Sequence, residues 1–203
     1  MKNLVIHPYD TTTFFLTKIY QSLPNTTVVN DCLSKKVLLN MVKSHDRIFV
    51  LGHGSSRGLF NPDTLEFLVD ATFSKVLKDK VGFYIFCHAD KYVIKNKLTN
   101  CFYTGMFLSE IWELPEYNQE IPPEEYVNYT LLIDESNQKF ATQLGKLLLE
   151  SDFQLESVFK GIKQHYGNYA TKNEIAGFNC DRLFYNPKTI QIDVVIDQND
   201  LKE

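Results

Sequence analysis

Residues 48–60 read IFVLGHGSSRGLF, and a second apolar run, VGFYIFC, ends at Cys87, 34 positions after His53. Both runs are apolar at consecutive positions, the pattern of central parallel strands that helices cover on each face. In a sheet of that kind, ligands bind outside the carboxyl ends of the strands, where loops and helix N-termini converge. His53, Gly54 and Cys87 all fall at such ends.

Working outward, the short runs NLVIH, TTVVN, RIFVLGH, VGFYIFC and NCFYTGMF alternate with helix-length segments near 12–22, 34–43 and 72–80. Strand and helix in repeated alternation predict an α/β domain: a mostly parallel sheet flanked by helices on both faces. Asp10, Ser34 and Asp70 stand where a side-chain oxygen can cap a helix, and Asp90 is expected to cap one that follows His88. Trp112 is expected to plug the sheet edge.

After Trp112 the pattern changes. Pro115, Pro122 and Pro123 mark a loop and a new helix start. Phe140, Leu144, Leu147 and Leu148, then Leu155, Val158, Phe159, Ile162 and Tyr166, repeat at helical spacing. A helical segment over 121–167 is thus expected before the last strand. The Asn-rich stretch 168–186 reads as a long loop, and TIQIDVVI at 189–196 as the last strand. The 203 residues form one domain on this reading: a sheet core over 1–112, the helical segment, and the closing strand. A chain of this length buries roughly 70% of its unfolded surface.

Composition narrows the function. A net charge of −4 with scattered lysines makes no basic stripe, so nucleic acid is not an expected partner. No run approaches the roughly 18 apolar residues of a membrane span, and the start MKNLVIHPYD is too short in apolar residues for a signal peptide. A cytoplasmic protein is expected. The four cysteines, at 32, 87, 101 and 180, have no C-x-x-C spacing, so neither a structural zinc nor disulfides are expected. The Asp10-Thr11-Thr12-Thr13 turn lacks the glycines of a phosphate-binding loop, and no cofactor is expected.

A thiol becomes a nucleophile at neutral pH when an imidazole lowers its pKa or takes its proton. If the two strands are neighbours, their ends lie roughly 5 Å apart, within side-chain reach. The Gly54 N–H, together with that of Cys87, is then open to a substrate carbonyl oxygen. Asp10, Ser55, Ser56 and Asp90 are the polar side chains of the same loops and are expected to contact a substrate.

Strands FVLGHG and FYIFC, in this order and separated by a helix, resemble the caspase-like cysteine peptidases, a superfamily that includes caspases, gingipain and clostripain relatives and the bacterial CHAT proteases. The resemblance covers about residues 1–110. It implies a caspase-like three-layer sandwich, with His53 as base, Cys87 as nucleophile, the Gly54 N–H as oxyanion donor and a peptide or protein as substrate. Two positions depart from the pattern: the caspase Gln-Ala-Cys-x-Gly run is absent, and bulky Phe86 precedes the cysteine.

HGSSRG also suggests the oxyanion loop of α/β-hydrolases, but the later G-x-S-x-G elbow is missing and the histidine precedes the cysteine. The alternative from another class is a non-catalytic module whose strand-end loops bind a small molecule, a nucleotide signal or a partner protein. An activating ligand or partner fits either reading. The oligomeric state has no signature in the chain.

Overall fold

A computed structural model of the chain describes residues 1–8, 10–31, 33–118 and 120–188. The expected closing strand at 189–196 lies outside the described residues.

Six strands form the main sheet: β1 (Asn3–Ile6), β2 (Thr26–Val29), β3 (Arg47–Leu51), β7 (Val81–Ile85), β8 (Cys101–Thr104) and β9 (Leu183–Asn186). Their spatial order is β2-β1-β3-β7-β8-β9, parallel throughout except for antiparallel β9. Between β3 and β7 the chain makes a separate small antiparallel sheet from β4 (Gly54–Ser55), β5 (Gly58–Phe60) and β6 (Phe67–Val69). These strands are two or three residues long, too short to show an alternating pattern in the sequence.

Helices cover both faces. Side chains of β3 alternate as a strand must: Phe49 and Leu51 join one core, Ile48 and Val50 the other. The first core packs the sheet against α1 (Thr17–Tyr20), α5 (Tyr126–Glu150), α6 (Leu155–Tyr169) and α7 (Glu174–Asp181). The second packs it against α2 (Lys35–Ser44), α3 (Ser74–Leu77) and α4 (Ala89–Asn96). Phe49 stacks on Phe83 of the neighbouring strand with ring centroids 4.5 Å apart. Burying each such side chain contributes about 1.5–3 kcal/mol, so the β3–β7 register that sets the strand ends is held from within the core.

The expected helix at 34–43 is present at full length as α2, and those at 12–22 and 72–80 are present in shorter form, each opening with a 3-10 turn. Asp70 accepts from the Thr72 N–H as a cap. The 121–167 segment is two helices, α5 and α6.

Several expectations are corrected. The stretch 168–186 is not a long loop: it holds the end of α6, all of α7 and strand β9. Asp90 is not the cap of α4; His88, with φ of 62°, is the N-cap, and Asp90 lies in the first turn. Ser34 stands at the N-cap of α2 without a side-chain bond. Trp112 does not plug the sheet edge; it is 67% exposed on a 3-10 helix, Ile111–Glu116. Among the described residues no helix is long and apolar enough to cross a membrane.

Candidate functional site

The two signature strands are direct neighbours, with Leu51 paired to Ile85 as the last couple. His53 and Cys87 stand at equivalent steps, two residues beyond that pair. Gly52 makes the exit from β3 with φ of 125°, a conformation reserved for glycine, while its N–H still donates to Ile85 O at 3.1 Å. The chain then enters the β4–β5 hairpin. Gly54 lies flat on the Phe86 ring: a Cβ at 54 would stand 2.2 Å from a ring carbon. Bulky Phe86 is therefore the floor beneath Gly54, 3% exposed, with its edge against Tyr92.

The Phe60 N–H donates to His53 O at 3.1 Å. Hydrogen-bonded and non-hydrogen-bonded couples alternate along an antiparallel ladder, so the next couple, Gly54 with Leu59, is of the open type. The Gly54 N–H thus points away from β5. The Cys87 N–H makes no hydrogen bond among the described residues.

His53 is held from the loop after β1. Its Nε2 lies 3.0 Å from Asp10 Oδ2 and 2.9 Å from Thr12 Oγ1. The Thr12 hydroxyl donates its single proton to Asp10 Oδ1 at 2.8 Å, and the Thr12 N–H donates there at 2.6 Å. Burial acts to raise the Asp10 pKa, but the Thr12 and His53 contacts outweigh it and hold the carboxyl below its usual value. Since the carboxylate can only accept and the hydroxyl proton is committed, Nε2 carries the imidazole proton. Nδ1 remains as the basic nitrogen.

Beneath this loop lies His7, 4% exposed, with Nδ1 3.0 Å from Tyr20 Oη and Nε2 3.1 Å from Thr13 Oγ1. Burial lowers its pKa to about 4. It is a neutral post that fixes the start of the Asp10 loop.

Cys87 is engaged elsewhere. Its one thiol proton has two acceptors within reach, Glu113 Oε1 at 3.4 Å and Phe107 O at 3.6 Å. Glu113, 4% exposed, also accepts from Ser109 N–H at 2.8 Å, Ser109 Oγ at 3.0 Å and Glu110 N–H at 3.0 Å. Burial first, and then the Glu113 carboxylate, push the thiol pKa far up, so at neutral pH the group is S–H. The crevice beside it, lined by Gly52, Phe86 and Phe107 among others, measures about 20 Å³, room for about one water. The segment that bears Glu113 is pinned twice: Asn179 of α7 exchanges two hydrogen bonds with Leu108, and Asn137 of α5 donates to Ser109 O.

The structure therefore brings His53 and Cys87 to one edge and bonds each to a different carboxylate. Asp10, expected at the substrate, orients His53 instead. Ser55 accepts from the Arg57 N–H within its hairpin, Ser56 lines a cleft beside Arg57 and Asp70, and Asp90 sits in the first turn of α4. Glu113, Thr12 and Asn137 were not legible as site residues. The one local signal was the Glu110-x-x-Glu113 spacing, which marks a helix start with side chains folded back on backbone N–H groups. Among the described residues no group of three or more His, Cys, Asp and Glu is placed to hold a metal.

A larger cleft, about 480 Å³, opens next to the crevice between the Asp10 loop, the 109–112 segment and α5. Comparison of the chain with protein-family models, curated proteins and solved structures finds no match.

Proposed function

We propose that the protein is a caspase-like cysteine peptidase held in a latent state, with Glu113 as the latch on its nucleophile. The observation that carries this reading is the equivalent placement of His53 and Cys87 at the ends of two paired parallel strands. Three supports lie beside it: a histidine whose proton is fixed on Nε2 by Asp10, and the outward Gly54 and unpaired Cys87 N–H groups. The arrangement of helices on both faces of a parallel sheet agrees with the three-layer sandwich that the resemblance implies.

In the unlatched state Cys87 Sγ attacks the peptide carbonyl carbon as its proton passes to His53 Nδ1. The oxyanion is held by the N–H groups of Gly54 and Cys87. Collapse breaks the C–N bond, His53 returns the proton to the leaving amine, and water hydrolyses the thioester. Asp10 is a positioning residue here, keeping Nδ1 free to accept. The thiol precedes the N-terminal turn of α4, where the helix dipole favours thiolate once the Glu113 carboxylate withdraws. A cytoplasmic, reducing setting is part of the reading.

The test is cleavage of a peptide library by the Glu113→Gln variant, read by mass spectrometry. Cleavage that is lost in Glu113→Gln/Cys87→Ala and in Glu113→Gln/His53→Ala supports the reading; cleavage that survives removal of Cys87, or none at all, overturns it. The sealed thiol favours one second reading, the non-catalytic binding module, which predicts no turnover in any variant.

A further inference from the structure

We infer that the 480 Å³ cleft between the Asp10 loop, the 109–112 segment and α5 is a binding site for a cationic hydrogen-bond donor, an alkyl guanidinium or alkylammonium group. The inference does not depend on whether Cys87 is catalytic.

The lining is one-sided in its chemistry. It carries two carboxylates, Glu110 and Asp134, and no lysine, arginine or histidine. Neither carboxylate is in an ion pair among the described residues. Two aromatic side chains on the lining stand open to solvent, Phe14 at 59% and Trp112 at 67% exposure, and aromatic faces attract cations. A guanidinium matches all of this, since its planar fork pairs with carboxylates and stacks on rings.

A second, independent observation points the same way. Asn137 lines the cleft and is 2% exposed. Its Nδ2 is consumed by Ser109 O at 3.0 Å, which fixes the amide orientation and leaves Oδ1 as the free end. That oxygen is buried with no hydrogen-bond partner. Buried polar atoms are almost always satisfied, and an orphaned carbonyl oxygen calls for a donor. Carboxylates that no cation neutralises among the described residues, an unpaired amide oxygen and exposed rings all ask for the same ligand: positive, donor-rich and carried on an apolar stem. The cleft volume lies within the range of small-ligand sites.

Trp112 is the one tryptophan of the chain and lies on the cleft, so it reports occupancy. Its fluorescence is titrated in wild type and in Cys87→Ala with agmatine, with the peptide acetyl-Ala-Arg-Ala-amide, and with the same peptide carrying citrulline in place of arginine. The expected result is a saturable change with agmatine, the arginine peptide or both, at least about tenfold weaker with citrulline, as a charged hydrogen bond is worth. Saturation with agmatine identifies a free amine as sufficient; saturation with the peptide alone identifies a basic side chain as the source. Glu110→Gln/Asp134→Asn, with its fold checked by circular dichroism, is expected to weaken binding by roughly tenfold or more. No saturable change with either cation, equal response to citrulline, or binding untouched by the double substitution overturns the inference. Because binding is read equally in Cys87→Ala, its failure is separate from any failure of the peptidase reading.

Discussion

Cys87 Sγ donates to Glu113 Oε1 across 3.4 Å, so the thiol at the ligand-binding edge faces a carboxylate where a nucleophile needs a base. Burial and that carboxylate both raise its pKa, and the thiolate fraction at pH 7 is correspondingly small. Iodoacetamide is expected to label Cys87 more slowly than a free model thiol at pH 7, as read by peptide mass mapping. Glu113→Gln keeps the shape and removes the charge, and is expected to speed labelling roughly tenfold, the effect of about one pKa unit. An unchanged rate would mean that burial alone silences the thiol.

The Asp10–His53 contact makes a claim about a proton. With Thr12 Oγ1 donating to Asp10 Oδ1, the neutral imidazole of His53 is the Nε2–H tautomer. Nitrogen-15 NMR of the ring is expected to show this tautomer alone in wild type and a mixture in Asp10→Asn/Thr12→Ala, where nothing selects it. A pure Nδ1–H tautomer in wild type would remove the base from the proposed mechanism.

His7 predicts a pH dependence of stability. Its folded pKa is lowered from 6.5 to about 4 by burial, so between those values the unfolded chain binds the proton and the folded chain does not. Stability is therefore full above about pH 6.5 and falls as pH drops toward 4. The His7 share is on the order of 3 kcal/mol. Calorimetry from pH 7.5 to 4 is expected to show a shallower loss for His7→Gln than for wild type. Parallel curves would contradict the buried neutral histidine.

Gly54 tests the floor of the site. In Gly54→Ala the new methyl meets the Phe86 ring at 2.2 Å and Phe86 Cβ at 2.9 Å, so the ring must shift within a filled core. The expected cost is about 1–3 kcal/mol in urea unfolding. Combined with Phe86→Leu, the double variant is expected to lose less than the sum of the two single losses, since the pair is in contact. Strict additivity would place the ring away from Gly54.

The strand pattern needed no tertiary information. Consecutive apolar residues in IFVL and FYIF, bounded by turn residues, read as strands covered on both faces, which puts His53 and Cys87 at strand ends; that the two strands are neighbours was a condition of that reading, and the fold supplies it. The long helices were equally legible, because Phe140, Leu144, Leu147 and Leu148 repeat at the helical period and are buried together. Helix α7 was not: its Gly177 and Asn179 are weak helix formers, and the helix stands because Ile175, Ala176, Asn179 and Cys180 are buried.

The chemistry of the edge divides the same way. Residue types and strand ends are local facts, so a thiol and an imidazole near a ligand-binding edge could be read directly. Which carboxylate serves which group could not. Glu113 reaches Cys87 from 26 positions away, through a segment pinned by Asn137 and Asn179, and Asp10 reaches His53 from the loop after β1. No periodicity encodes such meetings; they arise only when packed elements bring distant turns within hydrogen-bond distance, and there the same thiol can be made a nucleophile or held silent.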